Sequence, residues 1–339
     1  MTREIVVNGR FLSRRVTGVE RHGREILRLM GNNYRLEKPA LTVVETTRAN
    51  GTLGHAWEQF VLPRKLSPQS VLWSPANTGP LVIRNQALTI HDLSPLEHPE
   101  WFHRSFSAWY RLFLPILARR VQMIFTPSEY VKQKVTARFG NKQIMVTPNA
   151  VNTNIFRPDA RQDTYEFPKK YVLFVGTLEP RKNVRLLLNA WREIKNRFKD
   201  AWLVIAGDAG RVFRNIKFLA EERVRFLGYV EDASLPGLYA NAEFFVLPSK
   251  DEGFGLPALE AMACGTPVIV SDGGALPEVV GDAGLIFNLS TPDTLSAAMQ
   301  ECLSNNNLRV TLVERGLARA KHFSWQVTAE LVWKTLNEI

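Results

Sequence analysis

The feature that most constrains the fold of this chain is a series of short apolar segments that alternate with helical patterns. In the second half, a helical pattern at 183–198 follows the first apolar segment, and Asn183 is its predicted N-cap. Apolar runs that alternate with helices are typical of a parallel sheet covered on both faces. The five segments are YVLFVG, AWLVIAG, VRFLG, EFFVLPS and PVIVSD, at 171–176, 201–207, 224–228, 243–249 and 267–272.

The first half shows the same alternation less regularly. A Pro- and Asn-rich segment at 147–159 predicts the connection between two α/β units. Because 339 residues exceed the usual size of a single hydrophobic core, we predict two doubly wound α/β domains facing across a cleft. The predicted strands lie at 4–8, 41–45, 87–92, 123–128 and 144–149, and the predicted helices at 19–30, 101–120 and 129–138.

The net charge of +10 belongs entirely to the first half of the chain. Residues 1–155 contain 21 Lys and Arg against 10 Asp and Glu, whereas residues 156–339 contain 22 against 23. This asymmetry indicates a polyanion, an anionic membrane surface or a phosphorylated substrate as partner, with a solvated surface as the alternative. Nucleic acid is not predicted as a partner, because the sequence lacks a helix-turn-helix, zinc-ligand spacing or an RNA-binding aromatic pattern.

The compartment is predicted from the cysteines and the apolar runs. Cys264 and Cys302 have no metal or redox spacing, which indicates reduced structural thiols. The N-terminal sequence has no apolar stretch of the kind found in signal peptides, and no run approaches the ~18 residues of a membrane span. We therefore expect a cytoplasmic protein.

The segment 101–120 interleaves aromatic and basic residues and looks apolar along two sides. Our hypothesis is that this segment and the basic half rest on the inner face of the cell membrane, near a lipid-linked acceptor. The alternative is a buried helix whose basic residues extend to solvent. One side carries Trp101, Ser105, Ala108 and Leu112, and the other carries Phe102, Phe106, Trp109 and Phe113.

A strand, a glycine-containing turn and a helix are predicted in succession after residue 243. The strand at 243–249 leads into the turn, and Pro257 suits the first position of a helix predicted over 257–263. Gly265 lies near the predicted end of that helix. In parallel sheets, ligands bind where strands end and helix N-termini present unpaired N–H groups.

Two glutamates flank this turn. Glu252 enters it from the strand, and Glu260 lies one turn into the helix, so both carboxylates are expected to reach one pocket. Glycines let the backbone approach a ligand closely, and the amides of the turn can face an anion. Two carboxylates around an anion-binding turn suit a nucleotide sugar, which has hydroxyls at both ends and phosphate between them. The turn consists of Gly253, Phe254, Gly255 and Leu256.

The stretch EGFGLPALE resembles the E-x7-E motif of retaining GT-B glycosyltransferases of the family-4 type. GTLEPRKN (176–183) resembles the donor-phosphate loop of that family, and PSEYVKQKV (127–135) the end of its acceptor domain. TPNAVNTNIFRP (147–158) resembles the hinge, and FSWQ (323–326) the start of a terminal helix that returns to the first domain. The resemblance implies an acceptor-binding domain at 1–154, completed by a helix at 323–339, and a donor-binding domain at 155–322.

The resemblance also implies roles for four charged residues. Glu260 would accept hydrogen bonds from the ribose hydroxyls, and Glu252 would lie beside the hydroxyls of the donor sugar. Arg181 and Lys182 would hold the diphosphate and stabilise the charge that builds on it as it leaves. The alternatives are a helix-dipole partner for each glutamate and solvated surface positions for the two cations.

Four further residues follow from the resemblance. His91 would contact the transferred sugar near its 6-hydroxyl, with a loop histidine bonded to backbone as the alternative. Tyr229 and Val230 would flank the nucleotide base, with packing in the core as the alternative. Gly18, the glycine in RRVTGVER, would contribute the phosphate contact of the first domain.

The expected activity is transfer of a hexose to a saccharide or a lipid-linked oligosaccharide in cell-surface glycan synthesis. UDP-glucose is the first expectation for the donor and GDP-mannose the second. The sequence contains no Asp-x-Asp pair, so we expect no metal and no cofactor. A glycosidase is disfavoured because hydrolysis has no use for a phosphate-binding turn. An NAD-type oxidoreductase is disfavoured because no strand precedes a G-x-G-x-x-G motif.

Overall fold

A computed structural model describes residues 4–33, 40–47, 51–140, 143–160, 168–208 and 221–339. The chain divides into two compact units, each built around one six-stranded sheet whose paired strands are parallel. The predicted fold class, two doubly wound α/β units, is confirmed. The first unit comprises Met1–Glu97, Arg104–Asn149 and Ser324–Ile339, and the second comprises His98–His103 and Ala150–Phe323.

The sheet of the first unit has the strand order β2-β1-β3-β4-β5-β6. Its strands are β1 (Ile5–Asn8), β2 (Leu41–Val44), β3 (Val71–Ser74), β4 (Gln86–Thr89), β5 (Met123–Thr126) and β6 (Gln143–Val146). Its first helices are α1 (Gly18–Asn33), α2 (Gly51–Ala56), α3 (Ser94–Glu97), α4 (Arg104–Arg120) and α5 (Glu129–Phe139). Every residue of β1, β3, β4 and β5 is buried, as expected for strands covered on both faces.

The sheet of the second unit has the order β12-β11-β10-β7-β8-β9. Its strands are β7 (Tyr171–Val175), β8 (Trp202–Ala206), β9 (Val224–Gly228), β10 (Phe244–Leu247), β11 (Val268–Ser271) and β12 (Leu285–Phe287). Its helices are α6 (Val184–Ile194), α7 (Leu235–Ala240), α8 (Leu256–Ala263), α9 (Leu276–Val280), α10 (Asp293–Ser304) and α11 (Asn306–Ala320). The two cysteines are free and buried in this unit, on α10 and just after α8.

The last helix, α12 (Trp325–Glu338), belongs to the first unit. Ser324 caps its start by accepting a hydrogen bond from the amide of Val327. Thr328 Oγ1 donates to the carbonyl oxygen of Pro148 at 2.8 Å, and Val332 is fully buried. This side of α12 therefore completes the core of the first unit.

Several predicted helix boundaries are wrong. The helix predicted at 183–198 ends at Ile194, and the one predicted at 101–120 begins at Arg104, after a 3₁₀ turn at Pro99–Trp101. Asn183 precedes α6 as predicted, but its φ of 54° is left-handed and its side chain makes no capping hydrogen bond. Among the described residues, every helix is too short or too polar to cross a membrane.

Candidate functional site

The strongest candidate site lies where the strand order of the second sheet reverses, between β7 and β10. Chain connections leave these neighbouring strands in opposite directions along the sheet, which opens a crevice at their carboxyl ends. Arg181 and Lys182 lie in the 3₁₀ turn that follows β7, and Glu252 lies in the loop that follows β10. The amide of Lys250 donates to the carbonyl oxygen of Arg181 at 2.8 Å, which joins the two loops.

Three of the predicted site residues form one buried ion-pair network. Arg181 Nη1 lies 2.8 Å from Glu252 Oε2, and Lys182 Nζ lies 2.6 Å from Glu252 Oε1. Ser249 Oγ also donates to Oε1, at 2.7 Å. The side chains of Arg181 and Lys182 are only 13% and 8% exposed, so the alternative of solvated surface positions for these two cations is wrong.

The carboxylate of Glu252 is ionised because of its two cationic neighbours. Burial raises the pKa of Glu252, but the charges of Arg181 and Lys182 outweigh burial and lower the pKa to about 2. Behind Arg181, the buried carboxyl of Glu179 accepts a hydrogen bond from Nε at 2.9 Å, and burial raises the pKa of Glu179. The network therefore presents fixed positive charge at the crevice.

The glycine turn before α8 contains a position whose backbone conformation favours glycine. Gly255 has a φ of 97°, and a Cβ at this position would lie 2.4 Å from the side chain of Leu276. The helix begins at Leu256, one residue before the predicted start. Phe254 stacks edge-on against Phe323 at 5.5 Å, so its backbone and not its ring is the part that can face a ligand.

Glu260 lies in the second turn of α8 and is buried. Its Oε2 accepts a hydrogen bond from the hydroxyl of Tyr239 at 3.0 Å. The helix-dipole alternative does not account for this position, because the dipole acts within the first turn. The described contacts do not join Glu260 to Glu252, so the prediction that both carboxylates reach one pocket stays a prediction.

Sequence reasoning missed several residues that shape this site. Ser249 donates a hydrogen bond to Glu252, and Glu179 accepts one from Arg181. Gly274 has a φ of 68°, and a Cβ there would lie 2.3 Å from the backbone nitrogen of Glu252. The glycine pair that follows β11 in SDGG signals this close approach of two backbones.

The remaining residues assigned by resemblance lie elsewhere. Gly18 is the first residue of α1 in the first unit, and a Cβ there would meet no described atom within 4 Å. Tyr229 follows β9 in the second unit and is 54% exposed, so the alternative that it packs in the core is wrong. Val230 packs partly against the core of that unit.

His91 lies in the first unit, after β4, and is buried. Its Nε2 lies 2.8 Å from the carbonyl oxygen of Pro75, and its amide donates to Asn77 Oδ1 at 2.7 Å. Nε2 therefore carries the proton, and Nδ1 is the nitrogen available to a ligand. Burial lowers the pKa of His91, so the ring is neutral.

His22 packs edge-on against His91, with ring centroids 5.0 Å apart. Its Nδ1 bonds to Asn149 Oδ1 at 2.8 Å. Burial, and then the neighbouring His91, lower the pKa of His22 from 6.5 to about 3. As the pH falls, the imidazole of His22 is therefore protonated in the unfolded chain before it is protonated in the folded protein. The contribution of His22 to the free energy of unfolding is complete above pH 6.5 and decreases as the pH falls toward 3.

We expect the first unit to lose about 2 kcal/mol of unfolding free energy through His22 between pH 7.5 and pH 5. His22→Gln should flatten this pH dependence, whereas His322→Gln, at an exposed position, should leave it unchanged. Urea unfolding at a series of pH values measures the slope. An unchanged slope in His22→Gln would show that another group is responsible.

Comparison with known proteins agrees with this fold and site. Residues 157–319 match the family described as "Glycosyl transferases group 1", and residues 72–155 match "Glycosyltransferase Family 4". The chain therefore contains a domain of each of these two glycosyltransferase families, in agreement with the resemblance.

Two relatives and one solved structure illustrate the similarity. The chain is 35% identical over 252 residues to O-antigen chain mannosyltransferase B of Escherichia coli, covering 70% of this chain and 66% of that protein. It is 33% identical over 239 residues to phosphatidyl-myo-inositol mannosyltransferase of Mycobacterium tuberculosis H37Rv, covering 68% and 59%. Thus the matched region spans about three fifths to two thirds of these relatives. Sucrose-phosphate synthase of Thermosynechococcus elongatus has the same GT-B fold, with a TM-score of 0.76, 18% identity, and coverage of 100% and 99%.

Proposed function

We propose that this protein transfers a hexose from a nucleotide sugar to a saccharide or lipid-linked saccharide, with retention of configuration. The observation that carries the proposal is the buried network of Arg181, Lys182 and Glu252 at the reversal point of the second sheet. Two fixed cations beside a glycine turn suit the diphosphate of such a donor.

The network suggests how the chemistry proceeds. Negative charge grows on the diphosphate as the glycosidic bond breaks, and cations that are already fixed in place stabilise that charge without reorganising. Among the described residues, Glu252 Oε2 receives its hydrogen bond from Arg181 alone, so a lone pair remains for a hydroxyl of the donor sugar. Glu260 is proposed to accept from the ribose hydroxyls, with Tyr239 holding its carboxylate in place.

For the donor sugar we propose mannose, supplied as GDP-mannose. Both relatives described above are named mannosyltransferases, whereas the first expectation from the sequence was UDP-glucose. A lipid-linked or polysaccharide acceptor accords with the names of these relatives, which refer to an O-antigen chain and to phosphatidyl-myo-inositol.

A screen of donor hydrolysis tests the proposed function. The purified protein is incubated with GDP-mannose, UDP-glucose and other nucleotide sugars, and the released sugar and its anomeric configuration are read by NMR. We expect release from GDP-mannose with the α configuration kept. Calorimetry with NAD provides the contrast, because tight NAD binding without any response to nucleotide sugars would overturn the proposal.

We also propose that the diphosphate is held without a divalent metal ion. Arg181 and Lys182 supply the positive charge that a metal supplies in other transferases. We expect the rate of donor turnover to stay the same when EDTA is added. A loss of activity with EDTA that Mg²⁺ or Mn²⁺ restores would contradict this.

A peripheral contact with an anionic membrane is proposed for α4. Of the two sides predicted from the sequence, the one with Ala108 and Leu112 is exposed, and Leu112 and Ile116 are 61% and 42% exposed beside the exposed Arg111. The opposite side, with Tyr110 and Leu114, is buried, so α4 is buried along one face only. Exposed apolar and basic groups on one helix face suit an anionic lipid surface.

Vesicle sedimentation tests this contact. We expect binding to vesicles that contain phosphatidylglycerol, and Arg111→Glu should weaken it about tenfold, because each basic residue near the surface contributes about 1 kcal/mol. Val327→Asp, at an exposed apolar position on α12, is the control. Equal binding to neutral and anionic vesicles would contradict the electrostatic part of the proposal.

A further inference from the structure

The two cations of the candidate site are matched by two buried glutamates. Arg181 Nη1 and Lys182 Nζ both contact the carboxylate of Glu252, at 2.8 Å and 2.6 Å. On its other edge, Arg181 contacts Glu179, with Nε at 2.9 Å and Nη2 at 2.7 Å from Glu179 Oε1. If both carboxyl groups are ionised, the positive and negative charges of the network cancel, which leaves little attraction for an anionic diphosphate.

The surroundings of the two glutamates differ. Glu252 accepts hydrogen bonds on both oxygens, from Arg181 on Oε2. Lys182 and Ser249 donate to its Oε1. Glu179 is fully buried, and its Oε2 has no hydrogen-bond partner among the residues that the structure describes. A buried carboxylate oxygen without a donor is costly, and a proton on that oxygen removes the charge. Glu179 is therefore the carboxyl group of the network that is easier to neutralise.

The charges around Glu179 act together with its burial. Burial has the largest effect and raises the pKa of Glu179, and the negative charge of Glu252 also raises this pKa. Arg181, Lys182 and the hydroxyl of Thr177 lower the pKa of Glu179, but by less. The opposite balance holds at Glu252, where the two cations outweigh burial and lower the pKa to about 2. Glu252 therefore keeps its negative charge under conditions in which Glu179 takes up a proton.

From this arrangement we infer that Glu179 is a positioning residue for Arg181 and that the donor diphosphate binds when Glu179 carries a proton, an inference that rests on the proposed function. The proton resides on Oε2, while Oε1 continues to accept hydrogen bonds from Arg181 and keeps the guanidinium oriented. Two cations then face one carboxylate, and the network has net positive charge to offer the diphosphate. Because Glu179 is fully buried, it acts through Arg181 and not on the donor itself.

This inference makes diphosphate binding depend on pH. A bound diphosphate adds negative charge near Glu179, so the pKa of Glu179 is higher in the complex than in the free protein. Affinity is therefore complete below the pKa of Glu179 in the free protein and decreases as the pH rises above it. Glu179→Gln keeps an oxygen that accepts from Arg181 and is neutral at every pH, so it should remove this dependence.

Titration calorimetry with inorganic pyrophosphate and EDTA, between about pH 6 and pH 9, tests the inference. The Kd of the wild type is divided by the Kd of Glu179→Gln, which cancels the titration of pyrophosphate itself. We expect a ratio near one at low pH that rises up to about tenfold for each pH unit above the pKa of Glu179. Glu222→Gln is the matched control, because Glu222 pairs with Lys195 on the surface of the same unit, and it should behave as the wild type.

Infrared spectroscopy and a second variant complete the test. A protonated carboxyl group has its own carbonyl band, and the wild type with pyrophosphate bound should show one that Glu179→Gln removes. Glu179→Ala removes the acceptor of the Arg181 hydrogen bonds and should lower donor turnover about tenfold, and Glu179→Gln should recover most of that loss. Equal turnover in Glu179→Ala and the wild type would contradict the positioning role.

The pyrophosphate titration keeps this inference distinguishable from the proposed function. If the wild type turns over no nucleotide sugar, the proposed function fails, and pyrophosphate binding and the carbonyl band still decide the role of Glu179. A ratio that is constant with pH supports the inference when the band is present at every pH, because Glu179 then never ionises. A constant ratio without the band overturns it, as does a wild type that does not bind pyrophosphate.

Discussion

Replacing Lys182 with alanine is expected to lower kcat for donor turnover by about 10²–10³, the usual effect of removing one group that stabilises transition-state charge. Lys182 Nζ is buried and lies 2.6 Å from Glu252, so its position is fixed before the donor arrives. The diphosphate would lose this fixed cation at the stage when its negative charge grows. Steady-state release of nucleoside diphosphate, with the preferred donor at saturating concentration, measures the effect.

The fold should survive this substitution. Glu252 keeps Arg181 and Ser249 as partners, so its carboxylate is not left buried without a hydrogen bond. Lys195→Ala is the matched control, because Lys195 pairs with Glu222 on the surface of the same unit and lies outside the site. If Lys182→Ala and Lys195→Ala turn over the donor equally fast, the role of Lys182 in catalysis is refuted.

The central strands of the second unit could be predicted because they are fully apolar and end in recognisable turns. YVLFVG and EFFVLPS give β7 and β10 to within two residues at each end. β3 (VLWS) was not predicted, because a short apolar run alone does not distinguish a strand from a buried helix segment. Its place in the sheet comes from pairing with β4 and with β1, of which β1 is distant in sequence.

The identity of the charged site residues could be predicted, but their mutual arrangement could not. Arg181 and Glu252 lie 71 positions apart, and they meet because β7 and β10 are neighbours in the sheet. No local pattern encodes that adjacency, although the rule that ligands bind at a reversal of strand order would have suggested it. The hydrogen bond from Tyr239 to Glu260 depends likewise on the packing of α7 against α8.

Substitutions of the two glutamates of the site are expected to differ in effect: changing Glu252 should lower turnover, and changing Glu260 should weaken nucleotide binding. Glu252→Gln should lower kcat by about 10² or more, since the carboxylate is proposed to bind the donor sugar. It should not weaken binding of the nucleoside diphosphate, because losing this carboxylate frees Arg181 and Lys182 to bind the diphosphate. Glu260→Ala should instead weaken nucleotide binding about tenfold, because it removes the proposed acceptor of the ribose hydroxyls.

Calorimetry with GDP and UDP, combined with single-turnover kinetics, separates these two effects. Glu243→Gln is the control for loss of an ion-paired glutamate, because Glu243 lies 3.6 Å from Arg309 and outside the site. The bound nucleotide should also raise the Tm of Glu252→Gln, since it supplies negative charge to two buried cations that have lost their partner. Unchanged turnover in Glu252→Gln would refute the position assigned to this residue. Weaker GDP and UDP binding in that variant would instead show that Glu252 helps to hold the nucleotide, because its loss would then outweigh the release of Arg181 and Lys182.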